Sequence, residues 1–399
     1  MFLDLDSAVG TTRYSGLVND FLSGFLMSES SAVSSQVRPC ARCELPPLAD
    51  LTAGDLHCWF PADHVAGKVR ASLGRFGIGG RPSVGNGTVF HVDPSHSEAV
   101  AEALGDALST VELDDTRALF CFPDVAPTPN DIARVEPLAR VVIRARSGWL
   151  LAAMRERRLT SHFQPIVHAD CPDRIYGYEA LLRGVNPDGS FIPPGVLFDS
   201  ARGAGLLFQL DLAARRSAIA NAHAHHVKHA LFVNFAPTAI YDPKACLRST
   251  VAAIDDAGIE RSQVVFEIVE TERTHDPKHL RRILDFYRGA GFRIALDDVG
   301  SGYSSLNLIH LLRPDVVKLD MELVRDVDRD PYKARIAANL LDIANALGID
   351  ALAEGIETEG ELEWVQQHGA KYVQGFLIAR PAPIPPTSIS PRSPVRVAV

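Results

Sequence analysis

One rhythm rules the second half of this chain. From Leu151 onward, short apolar runs alternate with amphipathic helical segments such as Asp276–Ala290 and Lys333–Gly348. The apolar runs are His162–Val167, Tyr176–Arg183, Ala230–Phe235, Val264–Val269, Arg293–Asp297, Val316–Asp320, Asp350–Ala353 and Tyr372–Ala379. Alternation of this kind signals βα units and a mostly parallel sheet. Eight such strands in about 230 residues match a (β/α)8 barrel, which is about 250 residues long. An open doubly wound sheet is the competing arrangement. No GxGxxG turn follows the first run, which disfavours its dinucleotide-binding version.

Barrel enzymes carry their reactive groups at the C-terminal ends of the strands. Here those ends are polar and mostly acidic: Glu179, Asn234, Glu267 with Glu270, Asp297-Asp298, Lys318 with Asp320, Glu354 with Glu357, and Gln374. Taken singly, each is a solvated strand end or a helix cap. Taken together they place many carboxylates on one rim beside buried runs such as Ile294-Ala295-Leu296. Buried carboxylates repel one another unless a cation neutralises them. Hard oxygen donors suit Mg²⁺ or Mn²⁺ rather than zinc. Two such ions held about 3.5–4 Å apart suit in-line displacement at phosphorus. The barrel half has no Cys or His cluster that would favour zinc or a thiol nucleophile.

The overall charge disfavours a nucleic-acid polymer, and an acidic protein acting on a nucleotide would need metals or local bases to hold the phosphates. Net charge is −9 over 399 residues, and the pI is about 5.9. Phosphate-driven binding of nucleic acid needs clustered Lys and Arg, so no nucleic-acid polymer is expected as partner. No apolar run reaches the roughly 18–20 residues of a membrane span. Met1 to Glu29 is acidic, with a short amphipathic stretch (Leu17, Phe21, Phe25, Leu26) and no signal-peptide pattern. These features predict a cytoplasmic protein without a membrane span. Its six cysteines would then be reduced.

Residues 160–381 resemble the EAL family of cyclic di-GMP phosphodiesterases. The motifs that carry the resemblance are Glu179-Ala180-Leu181, His162-Phe163-Gln164-Pro165-Ile166, Asn234, Glu267 and Asp297 through Ser305. Lys318-Leu319-Asp320, Ala353 through Thr358, Gln374-Gly375 and Arg380-Pro381 complete the set. The resemblance implies a two-metal site that opens cyclic di-GMP to linear pGpG. It implies that Glu179, Asn234, Glu267 and Asp297 bind one Mg²⁺ or Mn²⁺. Asp297 bridges to a second ion, held also by Asp298 and, directly or through water, by Glu354. Lys318 positions the attacking water and Gln374 orients the same group. Gln164 and Arg183 contact the substrate, Asp211 recognises a guanine edge, and Glu270 braces the loop after Asp298. The family also implies a homodimer. Two positions depart from its pattern: Val269 replaces Thr and Val299 replaces Phe. Val269 lacks the hydroxyl beside the bracing Glu270. All implied ligands are present, which favours an active hydrolase. The departures keep a second class of function open, a cyclic di-GMP receptor that signals with little turnover.

The first half reads differently. Ser28–Ala49 is rich in Ser, Pro and Cys. Leu56–Phe60, Val89–Val92 and Ala118–Phe122 read as short strands, and Ser97–Leu108 reads as a helix. The expected organisation is a small α+β sensory or regulatory domain over 1–147, the barrel over 148–384 and a disordered Pro/Ser tail over 385–399. Asp131–Arg157 has apolar residues at helical spacing and is expected to be the connecting helix, a lever from the N-terminal domain to the paired-Asp loop. Cys40-Ala41-Arg42-Cys43 raises a Zn²⁺ site made with Cys58 plus Cys121 or His57. A thiol redox pair and plain reduced cysteines are the alternatives. His223, His225 and His226 read as a solvated helix face.

Overall fold

The computed structural model describes residues 54–237, 240, 242–269, 277–300 and 305–389. Cys40 and Cys43 lie outside these residues, as does Glu270. The N-terminal segment of this region forms an antiparallel sheet from β1 (Gly54–Trp59), β2 (Gly80–Pro82), β3 (Thr88–Val92), β4 (Arg117–Cys121) and β5 (Glu136–Pro137), in the order β2-β3-β1-β4-β5. Helices α1 (Asp63–Gly74) and α2 (Ser97–Ala107) bury Val65, Val69, Leu73, Val100 and Leu104 with Leu56, Cys58 and Phe120 of the sheet. The three strands and the helix read from sequence are all present here.

The expected continuous helix over Asp131–Arg157 is not. The segment is a 3₁₀ turn (Pro129–Arg134), then β5, then α3 (Leu138–Arg146), then a further helix at Gly148–Arg155. Pro137 has no N–H to donate and ends any helix that would run through it. Helix α3 starts directly after it. It adds Leu138, Val141 and Val142 to the N-terminal core.

The remaining strands close on themselves. They are β6 (Leu159–His168), β7 (Ile175–Val185), β8 (Phe191–Ile192), β9 (Ala230–Asn234), β10 (Val264–Val269), β11 (Arg293–Val299), β12 (Val316–Leu319), β13 (Asp350–Ala353) and β14 (Tyr372–Val373). From β7 through β9 to β14 every neighbouring pair is parallel. β6 closes the ring by pairing with both β7 and β14, and both pairings are antiparallel. Only six residues, 169–174, join β6 to β7, too few for the crossover that parallel pairing needs. The eighth strand is also shorter than read from sequence, ending at Val373. β8 is a small addition at the edge of β7.

Alternation along the strands sorts the core into two layers. Inward-facing Ile166, Phe232, Val265, Ala295, Val316, Leu352 and Tyr372 fill the barrel interior. Leu231, Phe266, Ile294, Leu296, Val317, Ala351 and Val373 face outward under the helices. Two of these helices matter below: α4 (Pro194–Ala204) and α5 (Leu207–Ala224). The chain stays packed beyond the last strand. Phe163 and Ala382 exchange backbone hydrogen bonds, Pro386 O accepts from Tyr178 Oη at 2.6 Å, and Ile389 is buried. The part of the expected free tail that is described, 385–389, is therefore held against the barrel.

Candidate functional site

The interior apolar layer fixes where the polar residues go. Two positions after an inward residue, the chain faces inward again. Phe232, Val265, Ala295, Val316, Leu352 and Tyr372 thus place Asn234, Glu267, Asp297, Lys318, Glu354 and Gln374 in one layer nearer the C-terminal rim. β6 runs the other way, so Ile166 is preceded by inward Gln164, which stands opposite Glu179 of β7. Each of the eight barrel strands contributes one polar side chain to this layer.

Lys318 is its hub. Its Nζ lies 2.7 Å from Glu267 Oε1, 2.8 Å from Glu354 Oε1, 2.9 Å from Asp297 Oδ1 and 3.9 Å from Glu179 Oε1. Glu179 also accepts hydrogen bonds from Asn234 Nδ2 at 3.1 Å and Gln374 Nε2 at 2.8 Å. One ammonium thus faces four carboxylates, and the excess negative charge shows in their protonation. Burial, countered by Lys318 and reinforced by Glu179 and Asp297, holds Glu267 well above the usual carboxylate range. Burial likewise raises Asp297, and pushes Glu354 up to about 8. Burial alone would favour neutral Lys318, but the surrounding carboxylates outweigh it and keep the ammonium charged to well above its ordinary value.

The paired aspartates depend on a bulge. β11 and β12 are in register at Leu296↔Val317 and again at Val299↔Leu319, so β11 carries one residue more than its partner. Asp298 takes φ +57°, a left-handed conformation rare for a residue with a side chain. Its N–H donates to Asp297 Oδ1 at 3.0 Å. Consecutive residues of a regular strand face opposite ways. Here Asp297, Asp298 and Glu354 each bring a carboxylate oxygen within 4.8 Å of the others. Burial, then the charges of Asp297 and Asp320, push Asp298 up to about 6. Asp320 was legible only as a rim residue. In the fold it caps the short helix Met321–Val324 through Glu322 N and presses on Asp298.

These residues fit divalent cations. The donors are hard oxygens, and four carboxylates, Glu267, Asp297, Asp298 and Glu354, are shifted toward their protonated forms. Glu267, with no solvent exposure, has an Oε2 that meets no hydrogen-bond donor among the described residues. A buried carboxylate oxygen left this way is costly unless a cation or a proton satisfies it. Asp297, Asp298 and Glu354 bring their carboxylate oxygens close enough together that they could hold an ion.

The outlying candidates are less uniform. Gln164 belongs to the layer and donates from Nε2 to Ala379 O at 3.3 Å. Arg183 lies two alternations beyond Glu179 on the same face of β7, half-buried, donating to Leu182 O at 2.7 Å. Asp211 is elsewhere. It is 2% exposed, with Oδ2 taken by Arg215 Nη2 at 2.7 Å and Oδ1 by Ala236 N at 2.8 Å. Oδ2 is bonded within α5 by Arg215, and Oδ1 ties that helix to the backbone just after β9.

The cysteine set needs correction. Cys58 is fully buried among α1 and α2 and its thiol is pushed up to about 12 by burial. His57 is its strand neighbour and so faces the opposite side of the sheet. Cys121 stands opposite Asp55, in the row of that same opposite face. Cys58 therefore cannot share a metal with His57 or Cys121.

The family model for the EAL domain matches residues 147–381, more than half of the chain. The chain belongs to the EAL domain family. This EAL domain is 33% identical over 236 residues to the probable cyclic di-GMP phosphodiesterase PdeB of Escherichia coli K12, covering 58% of this chain and 44% of that one. An uncharacterized signaling protein of Caulobacter vibrioides is 29% identical over 322 residues, 75% of this chain and 39% of the relative. The chain thus spans less than half the length of these curated relatives. Among solved structures, a standalone EAL protein of Vibrio cholerae O395 in its c-di-GMP-bound form is 34% identical, with a TM-score of 0.52 over 58% of this chain and 95% of that one. Among the described residues no helix is long and apolar enough to cross a membrane.

Proposed function

We propose that this chain is a phosphodiesterase that hydrolyses cyclic di-GMP to linear pGpG with Mg²⁺ or Mn²⁺. The observation that supports it best is the closed polar layer around Lys318, in which four carboxylates converge on one ammonium. The curated relatives' names and the ligand bound in the Vibrio structure point to the same substrate.

Bound divalent ions would supply Lewis acidity toward the phosphate and lower the pKa of a water. The protein's own groups do the rest. Lys318 is held charged by its neighbours, so it offsets negative charge that builds on the phosphoryl oxygens. Burial holds Glu354 above the usual carboxylate range in the metal-free site, and a cation bound beside it would favour its deprotonated form. Asn234 and Gln374 lock the Glu179 carboxylate from both sides. The Arg183 guanidinium serves as a charge-assisted donor to phosphate. A regulatory N-terminal domain and a homodimer belong to the same reading. The solution mass of the full chain, with and without nucleotide, tests the second.

The deciding experiment is chromatography of nucleotides after incubation with Mg²⁺, with Mn²⁺ and with chelator. Metal-dependent pGpG supports the proposal. Intact cyclic di-GMP that co-elutes with the protein, with no product, replaces the hydrolase by a receptor.

A further inference from the structure

Two loops leave the polar layer at its C-terminal rim and meet each other. One follows β12 and starts at Asp320, which caps the short helix Met321–Val324 and presses on Asp298. The other follows β13 and starts at Glu354, which with Asp297 and Asp298 makes the trio of converging carboxylates. The loops pack tightly. A Cβ on Gly355 would come within 2.5 Å of Met321 Cβ, and one on Gly360 within 2.5 Å of Asp328 Oδ2. Arg325 Nη2 lies 2.6 Å from Glu357 Oε1, but these side chains are 38% and 43% exposed, and exposed pairs hold little.

Glu361 joins the same two loops from inside. It stands in the first turn of the helix Glu359–Gln367 and is 2% exposed. Its Oε1 accepts from Asp326 N at 2.9 Å, and its Oε2 accepts from Glu357 N and Thr358 N, each at 2.9 Å. Only the Thr358 bond belongs to the capping box of that helix, whose other half is Glu361 N donating to Thr358 Oγ1 at 3.2 Å. Capping leaves the bonds to Glu357 and Asp326 unexplained, and these run from one buried carboxylate to the backbone of both loops. Asp326 takes φ +58°, a conformation that a residue with a side chain keeps only when its surroundings hold it. Burial raises the Glu361 carboxyl, yet the three backbone N–H groups outweigh it and hold it below its usual range. Bonds of this charge-assisted kind are stronger than neutral ones.

We infer that Glu361 is a positioning residue for the site: it clamps the β12 and β13 loops together and so keeps Glu354 in reach of Asp297 and Asp298. It acts through Glu354 rather than on the substrate. This rests on the reading of the site as a metal-dependent phosphodiesterase and names the residue that keeps its carboxylate trio assembled. Removing a supporting partner of a metal site costs about 10–100-fold in affinity or activity.

The test compares the full-length wild type with E361A, E361Q and T358A. One readout is the Mn²⁺ affinity of the nucleotide-free protein by isothermal titration calorimetry. The other is the Mg²⁺ concentration that gives half-maximal turnover of cyclic di-GMP. E361A frees both loops, so the Kd for Mn²⁺ and the half-saturating Mg²⁺ each rise about ten-fold or more, while KM for cyclic di-GMP at saturating Mg²⁺ is unchanged. E361Q keeps one accepting oxygen, recovers part of the affinity and carries the test if E361A unfolds. T358A removes the hydroxyl half of the capping box and leaves the carboxylate's bonds to the backbone, so it lowers Tm without moving the metal dependence. Wild-type Mn²⁺ affinity in E361A and E361Q overturns the clamp. An equal shift in T358A also overturns it, because Glu361 is then a helix cap and no more. A wild type that binds Mn²⁺ and cleaves nothing overturns the phosphodiesterase alone, since calorimetry still decides the clamp. A wild type that binds no Mn²⁺ overturns both.

Discussion

Lys318 Nζ and Glu267 Oε1 lie 2.7 Å apart, with side chains 1% and 0% exposed. Desolvation penalises both charges: Lys318 offsets the burial of Glu267, and Asp297, Glu179, Glu267 and Glu354 together offset the burial of Lys318. Replacing Lys318 by Met is expected to destabilise the metal-free protein by about 3–5 kcal/mol, because Glu267 is left without its counter-ion. Adding Glu267→Gln to that variant is expected to recover part of the loss. Denaturant unfolding of the two single variants and the double variant measures it. A double variant as unstable as the sum of the singles contradicts the coupling.

Glu179 and Asp297 sit in the polar layer rather than in either apolar layer. Glu179→Ala and Asp297→Ala are each expected to lower turnover of cyclic di-GMP by at least about 100-fold, the upper end of what loss of a mere supporting contact costs a metal site. The circular dichroism spectrum is expected to stay native. Near-normal turnover in either variant removes that residue from the site.

Metal affinity is expected to rise with pH. Glu354 is held at about 8 and Asp298 at about 6, above ordinary values of 4.5 and 3.8. In the metal-free protein the folded state therefore binds extra protons. The stability they contribute is fully present below the ordinary values, and is lost as pH rises through about 6 and then about 8. A divalent cation needs these carboxylates deprotonated, so it restores most stability where the protons have left. The gain in Tm from excess Mg²⁺ is expected to be larger at about pH 8.5 than at about pH 5.5, and turnover to rise over the same window. Equal gains at both pH values would show that these carboxylates do not hold the ion.

The N-terminal module meets the barrel at α4. A Cβ on Gly203 would come within 2.7 Å of Ile143 Cγ2, and Arg144 Nε donates to Ala204 O at 3.3 Å while its other nitrogens fork Glu136. Gly203→Leu is expected to destabilise the full chain by about 1–3 kcal/mol through overpacking. Ile143→Ala in the same chain is expected to relieve it, with a coupling of about 1 kcal/mol or more in a double-mutant cycle. Strictly additive losses would show that the two helices part without cost.

Much of this was legible in the residues. The alternation of apolar runs and helical segments announced eight strands, and their order of polar end residues announced the site. Pro137 was equally visible, yet helical spacing at Ile132, Val135 and Leu138 masked it, because periodicity describes a face and says nothing of a missing N–H. The surroundings of Asp211 were hidden for a different reason. Its partner Arg215 is four residues on, but whether the pair faces the site or ties α5 to Ala236 depends on how the helix docks.

The sequence by itself determined the parity of the site. Once Phe232, Val265, Ala295, Val316 and Leu352 face the interior, a period of two sends Asn234, Glu267, Asp297, Lys318 and Glu354 to the same side. It could not determine that Asp298 joins them, since the same period sends it outward. That was decided by the pairing of β11 with β12, where one extra residue between Leu296 and Val299 bends the strand and puts Asp298 in a left-handed turn. Tertiary pairing likewise decided that Cys58 and Cys121 lie on opposite faces of one sheet, and that one lysine stands at the centre of the carboxylates. The reason is the same in each case. Local pattern fixes which way a side chain points along its own strand, while the neighbour it meets is set by register between strands distant in sequence.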